Sequence, residues 1–488
     1  MFRCKFLFVL VVLFCNLFSK GCYATWTTDP AQPLPNEEPT SISFGGVFNS
    51  CDPTTGVFLA TWADVNGLLH PTYSFYNPSL GWGFVNAITF SSLAATSGIS
   101  VISSCDPSTG VFLATWTEAT MNQPAGSVYM LGDWSVLPGS FTGQSAVFQT
   151  TNSFYPATGE FLVTWADRIT NYPTYSFYTP GSGWGAVSQI TMTSTANDVY
   201  TTVNTTTNQV LAVWADAVSV QPTYAFYDSG VWGGAFAIPG FPSASGDVLC
   251  SCNPVTGQFI AVWVNLGFAN FYPYYSIYTP GHGWNIGPAA ITNSPVNGNV
   301  SVSCDPTTGQ FLASWASLDD GSINYSFYTP GTGPDAGWSS PGFITGSTSG
   351  NTITTSFNST SGQFLATWAG FGSGIPDSSP FYSFFTYIPP PAPPNPPPSS
   401  PITFTGKVVS NYFLTQIDIT HKLVWTPSTD SSIVSYQISR NGVVIAVLPA
   451  SGPYVYYDHN RSKNKKDLYT IVSINAAGAQ SAPLSVIL

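Results

Sequence analysis

A unit of about fifty residues recurs seven times along this 488-residue chain, and that period constrains its fold more than any single motif. The unit reads S-x-S-C-D-P-T-T-G-Q-F-L-A-T-W-A-D, then P-T-Y-S-F-Y-T-P-G-x-G-W-G. Its first tryptophan returns at Trp62, Trp116, Trp165, Trp214, Trp263, Trp315 and Trp368, at spacings of 49 to 54 residues. Its second returns at Trp82, Trp134, Trp184, Trp232, Trp284 and Trp338 and then fails. A unit this short cannot bury its own apolar face, so each repeat must pack against its neighbours.

Each repeat has the marks of four strands. V-S-V-S-C is the first, D-P-T-T-G a hairpin turn whose Gly supplies positive φ, and Q-F-L-A-T-W the second. Y-S-F-Y is the third and the G-W-G segment the fourth. Trp26 precedes Cys51 by 25 residues and Trp82 precedes Cys105 by 23, so Thr25 and Trp26 match the fourth strand that the seventh repeat lacks. The expected fold is all-β: a seven-bladed β-propeller over 25–388, its ring closed by the N-terminal strand at Trp26 so that no sheet edge is left open. These residues resemble the repeat propellers as a class. The G-H and W-D marks of WD repeats and the Gly pair of kelch repeats are absent. The sialidase Asp-box is only echoed, because Gly56 and Trp62 stand too far from Asp52.

Charge limits the partners. Only 7% of residues are charged, against about 25% in ordinary soluble domains. From Thr25 to Ile388 there are nineteen acidic residues and one basic residue, Arg168, a formal charge of −18. Such a surface repels nucleic acid, anionic lipid and sulfated glycans, and leaves neutral or cationic partners. Residues 1–24 read as a signal peptide: Arg3 and Lys5, an apolar run from Phe6 to Phe14, and a small-ended site at Cys22-Tyr23-Ala24. That run is short for a membrane span, and no later stretch is a transmembrane candidate. Export to the cell surface or beyond is therefore expected.

Residues 389–401, rich in Pro389, Pro390, Pro391 and Pro396 to Pro398, read as a stiff polyproline linker. In 402–488, Leu423-Val424-Trp425, the run Tyr436 to Gly442 and the run Leu468 to Gly478 resemble the core strands of a fibronectin type III domain. The resemblance implies a C-terminal immunoglobulin-like β-sandwich with a tyrosine-corner strand, acting as a spacer or interaction module. No Arg-Gly-Asp tripeptide is present, so integrin binding is not carried over.

Five cysteines follow the signal segment: Cys51, Cys105, Cys250, Cys252 and Cys304. Other repeats put Phe154, Val203 and Phe357 in the shared slot, so these read as core thiols; a disulfide or metal site is the minor alternative. Asp52, Asp106 and Asp305 read as turn formers. The positions after Trp-Ala carry Asp64, Glu118, Asp167, Asp216, Asn265, Ser317 and Gly370, on the face opposite the Asp-Pro turns. With His70, Tyr172, Phe271 and Tyr272 nearby, the first five form a possible sugar-binding rim, because carboxylates accept hydroxyl protons and aromatic rings cover C–H faces. The alternative is that these acids cap their loops and keep the rim soluble. Tyr73 to Tyr76 and its equivalents read as packing between blades. His459 to Lys466 is a basic loop, read as solvated, with acidic surfaces or lipid headgroups as alternative partners.

The resulting expectation is a non-catalytic binding or adhesion protein that recognises a glycan or protein ligand and uses no cofactor. A structural envelope protein is the alternative. A glycoside hydrolase would need two rim carboxylates about 5–9.5 Å apart, and regular repetition argues against one such unique pair.

Overall fold

The computed structural model describes residues 25–26, 32–34, 46–64, 69–88, 95, 100–135, 144–240, 243–266, 271–331, 337–344, 349–371, 379–386, 398–413, 417–475 and 478–488. The signal-like segment and most of the polyproline stretch lie outside them. The described residues form strands and turns without a helix. Contacts divide the chain into two compact units, one over Ala24–Tyr387 and one built on Ile388–Leu488.

In the first unit every repeat forms one antiparallel sheet. Repeat one shows why. Phe48–Cys51 pairs with Phe58–Asp64, which pairs with His70–Asn77. Between the first two strands the Asp52 carboxylate accepts the Thr54 backbone N–H at 2.9 Å and the Thr55 hydroxyl at 2.5 Å. Gly56 closes the turn at φ 76°, a conformation that an L side chain resists.

The fourth strand departs from the sequence expectation. In repeat one it breaks into Gly81–Trp82 and Asn86–Ala87, both paired with His70–Asn77, and repeats three, four and six break in the same way. A broken outer strand exposes less unpaired backbone, which limits edge-to-edge pairing with another chain. The sheet of repeat seven takes its outer strands from the N-terminus: Thr25 and Trp26 pair with Thr386 and Phe385, and Gln32 and Pro33 with Tyr382 and Phe381.

The first strand of each repeat lies against the first strand of the next, and that of repeat seven against that of repeat one. The seven sheets therefore close a ring. The first tryptophan of every repeat is fully buried between sheets. The second packs edge-on against a third-strand tyrosine of the preceding repeat: Tyr73–Trp134 at 5.2 Å, Tyr175–Trp232 at 5.7 Å, Tyr224–Trp284 at 5.3 Å and Tyr275–Trp338 at 5.2 Å. Tyr382–Trp82 at 5.2 Å joins repeat seven to repeat one, and Tyr325–Trp26 at 5.5 Å puts Trp26 in the seventh tryptophan slot. Repeat two has Gly126 where the others have this tyrosine, and a Cβ there would sit 3.4 Å from the Trp184 ring.

Hydroxyl groups join neighbouring sheets. The threonine before the first tryptophan donates to the carbonyl of the residue that precedes the first strand of the next repeat: Thr61 to Val101 at 2.7 Å, Thr115 to Thr150 at 3.0 Å and Thr164 to Val199 at 2.9 Å. Thr367 donates to Val47 at 3.1 Å across the closing interface, so that seam uses the same device as the others. Between first strands, Ser50 bonds Ser103 at 2.8 Å, Ser153 bonds Thr201 at 2.7 Å and Ser303 bonds Thr355 at 2.8 Å. These bonds satisfy polar groups that packing removes from water, which is why a charge-poor chain keeps so many Ser and Thr inside.

The second unit is a two-sheet sandwich. Thr403–Tyr412, Ile417–Thr426 and Val455–Asp458 form one sheet; Val443–Pro449, Ile433–Arg440, Leu468–Asn475 and Leu484–Ile487 form the other. Leu423, Trp425, Tyr436, Ile438, Tyr469 and Ile471 are the buried core between them. Tyr469 differs from the expected tyrosine corner. Its hydroxyl bonds the Asp458 carboxylate at 2.6 Å and His421 Nδ1 at 2.9 Å rather than a backbone group.

Candidate functional site

The residues after Trp-Ala stand at the far ends of the second strands. Asp64 is half-buried opposite His70. Glu118, 2% exposed, accepts backbone N–H groups of Thr120 at 2.8 Å and Met121 at 2.6 Å. Asp167 Oδ1 accepts Ile169 N at 3.1 Å and the Thr170 N–H and hydroxyl, both at 2.8 Å. Asp216 Oδ1 accepts Val218 N at 3.1 Å, Ser219 N at 2.6 Å and the Ser219 hydroxyl at 2.7 Å. Asn265 lies within a strand, paired with Ala244 and Tyr272, and the Ser317 hydroxyl accepts Asp319 N at 3.3 Å. Gly370 pairs with Ser379.

These bonds make Glu118, Asp167 and Asp216 loop caps, each holding its own turn. A carboxylate already accepting two or three protons has fewer lone pairs for a sugar. His70, Phe271 and Tyr272 are strand residues, and Tyr172 closes the Asp167 turn through its carbonyl.

A second acidic group escaped the sequence reading. Asp198 Oδ1 accepts Gln149 N at 2.7 Å, Tyr200 donates to Asp198 Oδ2 at 3.4 Å, and Asn299 Nδ2 donates to Asp247 Oδ2 at 2.6 Å. Gln149, Asp198, Asp247 and Asn299 occupy one slot in successive repeats, six before the turn. Burial, then the nearby Asp247 charge, pushes the Asp198 carboxyl well above its usual range. Burial pushes Asp247 up to about 6 against the opposing pull of its hydrogen bonds. The pattern was available as a once-per-repeat series, but only the closed ring buries the two acids side by side.

The sign of that shift gives a prediction. Above about pH 6 Asp247 is ionised both folded and unfolded and its burial penalty is fully felt; the penalty fades as pH falls through 6 toward the unfolded value near 4. Asp247→Asn is therefore expected to stabilise the ring by about 1–3 kcal/mol at about pH 8 and by little at about pH 4. Thermal unfolding of both proteins across that range checks it. A constant difference would show that the carboxylate's charge is not the cause.

The five cysteines are free thiols. Cys252 is buried and the others half-buried, and burial pushes every one above its usual range, with Cys252 at about 12. Such thiols are poor nucleophiles and poor metal ligands at neutral pH.

The opposite face, which carries the Asp-Pro turns, holds a groove of 620 Å³ between repeats two and three. Tyr129, Met130, Leu131 and Pro180 form its apolar wall, and Ser108, Thr109 and Thr179 stand at its edge. Their hydroxyls donate to Asp106 at 2.7 and 2.6 Å and to Glu160 at 2.6 Å, which leaves oxygen lone pairs to accept from a ligand. Repeat two also has Gly126 where the other repeats have the packing tyrosine. Its third and fourth strands are joined by Leu131 and Gly132, both at positive φ (58° and 93°). Leu131 is 98% exposed. An L residue with a bulky side chain is costly in that conformation by about 1–2 kcal/mol, and such strain concentrates at working sites.

No family model matches the chain, and no curated protein matches it significantly. Among solved structures it is similar to β-propellers. AofleA from Arthrobotrys oligospora is 11% identical at TM-score 0.47, over 63% of this chain and 88% of that one. The Dos1 propeller is 10% identical at 0.41, over 73% and 96%. Sqt1 from Chaetomium thermophilum, bound to the N-terminus of ribosomal protein L10, is 8% identical at 0.43, over 68% and 84%. Likeness at this level carries no argument about ligand or activity.

Proposed function

We propose that the chain is an exported, non-catalytic binding protein. In this reading a seven-bladed propeller carries the ligand site, and a fibronectin type III domain follows as a spacer or interaction module. The observation that carries the reading is Leu131, a fully exposed apolar side chain at positive φ beside the 620 Å³ groove, in the repeat that has Gly126 in place of the packing tyrosine. A repeat array makes a unique site only where a repeat differs from the rest. The groove suits an uncharged ligand with an apolar face, which describes a neutral glycan. The surrounding charge of −18 disfavours anions. The loop-capping roles of Asp167 and Asp216 favour this groove over the acidic rim.

A protein ligand is the second reading, favoured by the exposed Leu131 tip, because apolar side chains anchor protein contacts. The chain without its signal segment, applied to a glycan array and to a peptide array, separates the two. Met130→Ser with Leu131→Ser, both exposed in the groove, is expected to weaken the captured ligand about tenfold or more while leaving the unfolding temperature nearly unchanged. Equal binding by this variant, together with loss on Asp64→Ala with Asp167→Ala, would move the site to the rim. A blank on both arrays would favour the structural envelope role.

A further inference from the structure

We infer that the sandwich unit holds a phosphate-binding pocket, formed by His421 and the lysines of the 462–466 loop. The cavity measures 310 Å³ and opens where the inner face of Thr403–Tyr412 and Ile417–Thr426 runs past the hydrophobic core. Lys463, Lys465 and Lys466 line one side, and Val408, Ile419 and Leu488 the other. Three ammonium groups at one opening are notable in a chain with only eleven basic residues.

His421 forms the floor. It is 2% exposed and its Nδ1 lies 2.9 Å from the Tyr469 hydroxyl. That hydroxyl has one proton and gives it to Asp458 Oδ2 at 2.6 Å, so it can only accept from His421. Burial first, and the hydrogen bond to Asp458 second, push the Tyr469 phenol above its usual range and keep it a donor. His421 therefore carries its proton on Nδ1 when neutral. Its Nε2 has no hydrogen-bond partner among the described residues, and the ring lines the cavity. A buried imidazole held in one tautomer, lining a cavity that three lysines also line, has the form of a ligand site.

The tautomer selects the anion. Neutral His421 presents a lone pair at Nε2, which repels a fully deprotonated oxyanion but accepts a proton from a phosphate. A phosphate monoester, with a second pKa of about 6, still carries such a proton in part at neutral pH, whereas sulfate carries none. Sulfate requires the imidazolium. Burial lowers the His421 pKa, Asp467 and Asp458 act to raise it, and Arg461 and Arg440 add to the lowering, so the ring is mostly neutral at pH 7.5. The lysines attract either anion; His421 distinguishes them. The volume exceeds one phosphate, and Val408, Ile419 and Leu488 provide an apolar wall for the group that carries it.

The test titrates inorganic phosphate and sulfate into the full chain by calorimetry. Phosphate is expected to bind at least about fivefold more tightly than sulfate at about pH 7.5, with the gap closing as the pH falls and His421 gains its proton. Lys463→Gln with Lys465→Gln and Lys466→Gln, all at exposed positions, is expected to weaken both anions about tenfold or more. His421→Gln keeps the lysines and removes the preference. If that variant unfolds, Tyr469→Phe serves instead: it releases the tautomer and narrows the preference. Equal affinity for the two anions at pH 7.5, or unchanged phosphate binding in the lysine variant, would overturn the inference. Flotation with phosphatidylcholine vesicles, with and without phosphatidic acid, set against competition by glycerol phosphate, identifies whether the phosphate belongs to a lipid headgroup or a soluble ester.

Discussion

Replacing Trp26 by alanine is expected to destabilise the ring by about 3–5 kcal/mol, although the residue lies far in sequence from everything it touches. Trp26 is 8% exposed, pairs through its backbone with Phe385, and packs on the rings of Phe385 at 5.3 Å and Tyr325 at 5.5 Å. It is thus the link between the N-terminal strand, repeat seven and repeat six. Truncation removes an indole from a slot that six other repeats fill, and leaves a cavity that the ring cannot collapse, because each sheet is held on both sides. Deleting Thr25 to Pro30 should cost more, since Phe385 and Thr386, at the end of the third strand of repeat seven, then lose their outer backbone partner as well. Scanning calorimetry should show the ring transition fall by several degrees while the sandwich transition stays in place. A ring transition unmoved by Trp26→Ala would sink the closure account.

The second large effect belongs to Asp458. This buried carboxylate receives Arg440 at 2.7 Å and the Tyr469 hydroxyl at 2.6 Å, with Arg461 at 3.5 Å from its other oxygen. Asp458→Ala leaves a buried phenol without an acceptor and two guanidinium groups without a counter-charge. Both arginines keep part of their surface in water, which softens the loss, so about 2–3 kcal/mol is expected. Asp458→Asn retains an acceptor for Tyr469 and should lose about half as much. Urea unfolding of the sandwich transition checks both. Equal losses in the two variants would show that shape, not charge, holds this corner.

The repeat period, the strand types and the displaced fourth strand were legible because they depend on local signals. Hairpin turns need Gly, strands packed on both sides need apolar residues on both faces, and a missing Trp at one end matched an extra one at the other. The tyrosines of the third strands were legible as packing residues, though not their partners, the fourth-strand tryptophans of the next repeat. The acids after Trp-Ala were found as positions, and the loop-capping alternative matches their bonds better than a free rim does. The threonine before the first tryptophan in repeats one, two, three and seven has no sequence mark of its role. Its bond to the next sheet is invisible without the ring, because the acceptor is a backbone carbonyl some 40 residues away and carries no sequence signal.

By itself, the sequence determined what local chemistry can encode: seven strand-rich units, their order, the turn residues, the closing strand at Trp26 and the concentration of positive charge in 402–488. Only the tertiary structure decided which polar groups share an enclosed space. Asp198 and Asp247 lie 49 residues apart, Leu131 and Pro180 likewise, and His421 and Tyr469 48 apart. Each group acquires its chemistry from neighbours brought together by sheet packing: a raised carboxyl pKa, a groove wall, a fixed tautomer. Burial and proximity are properties of the folded chain, and they set the protonation states and the free lone pairs on which recognition depends.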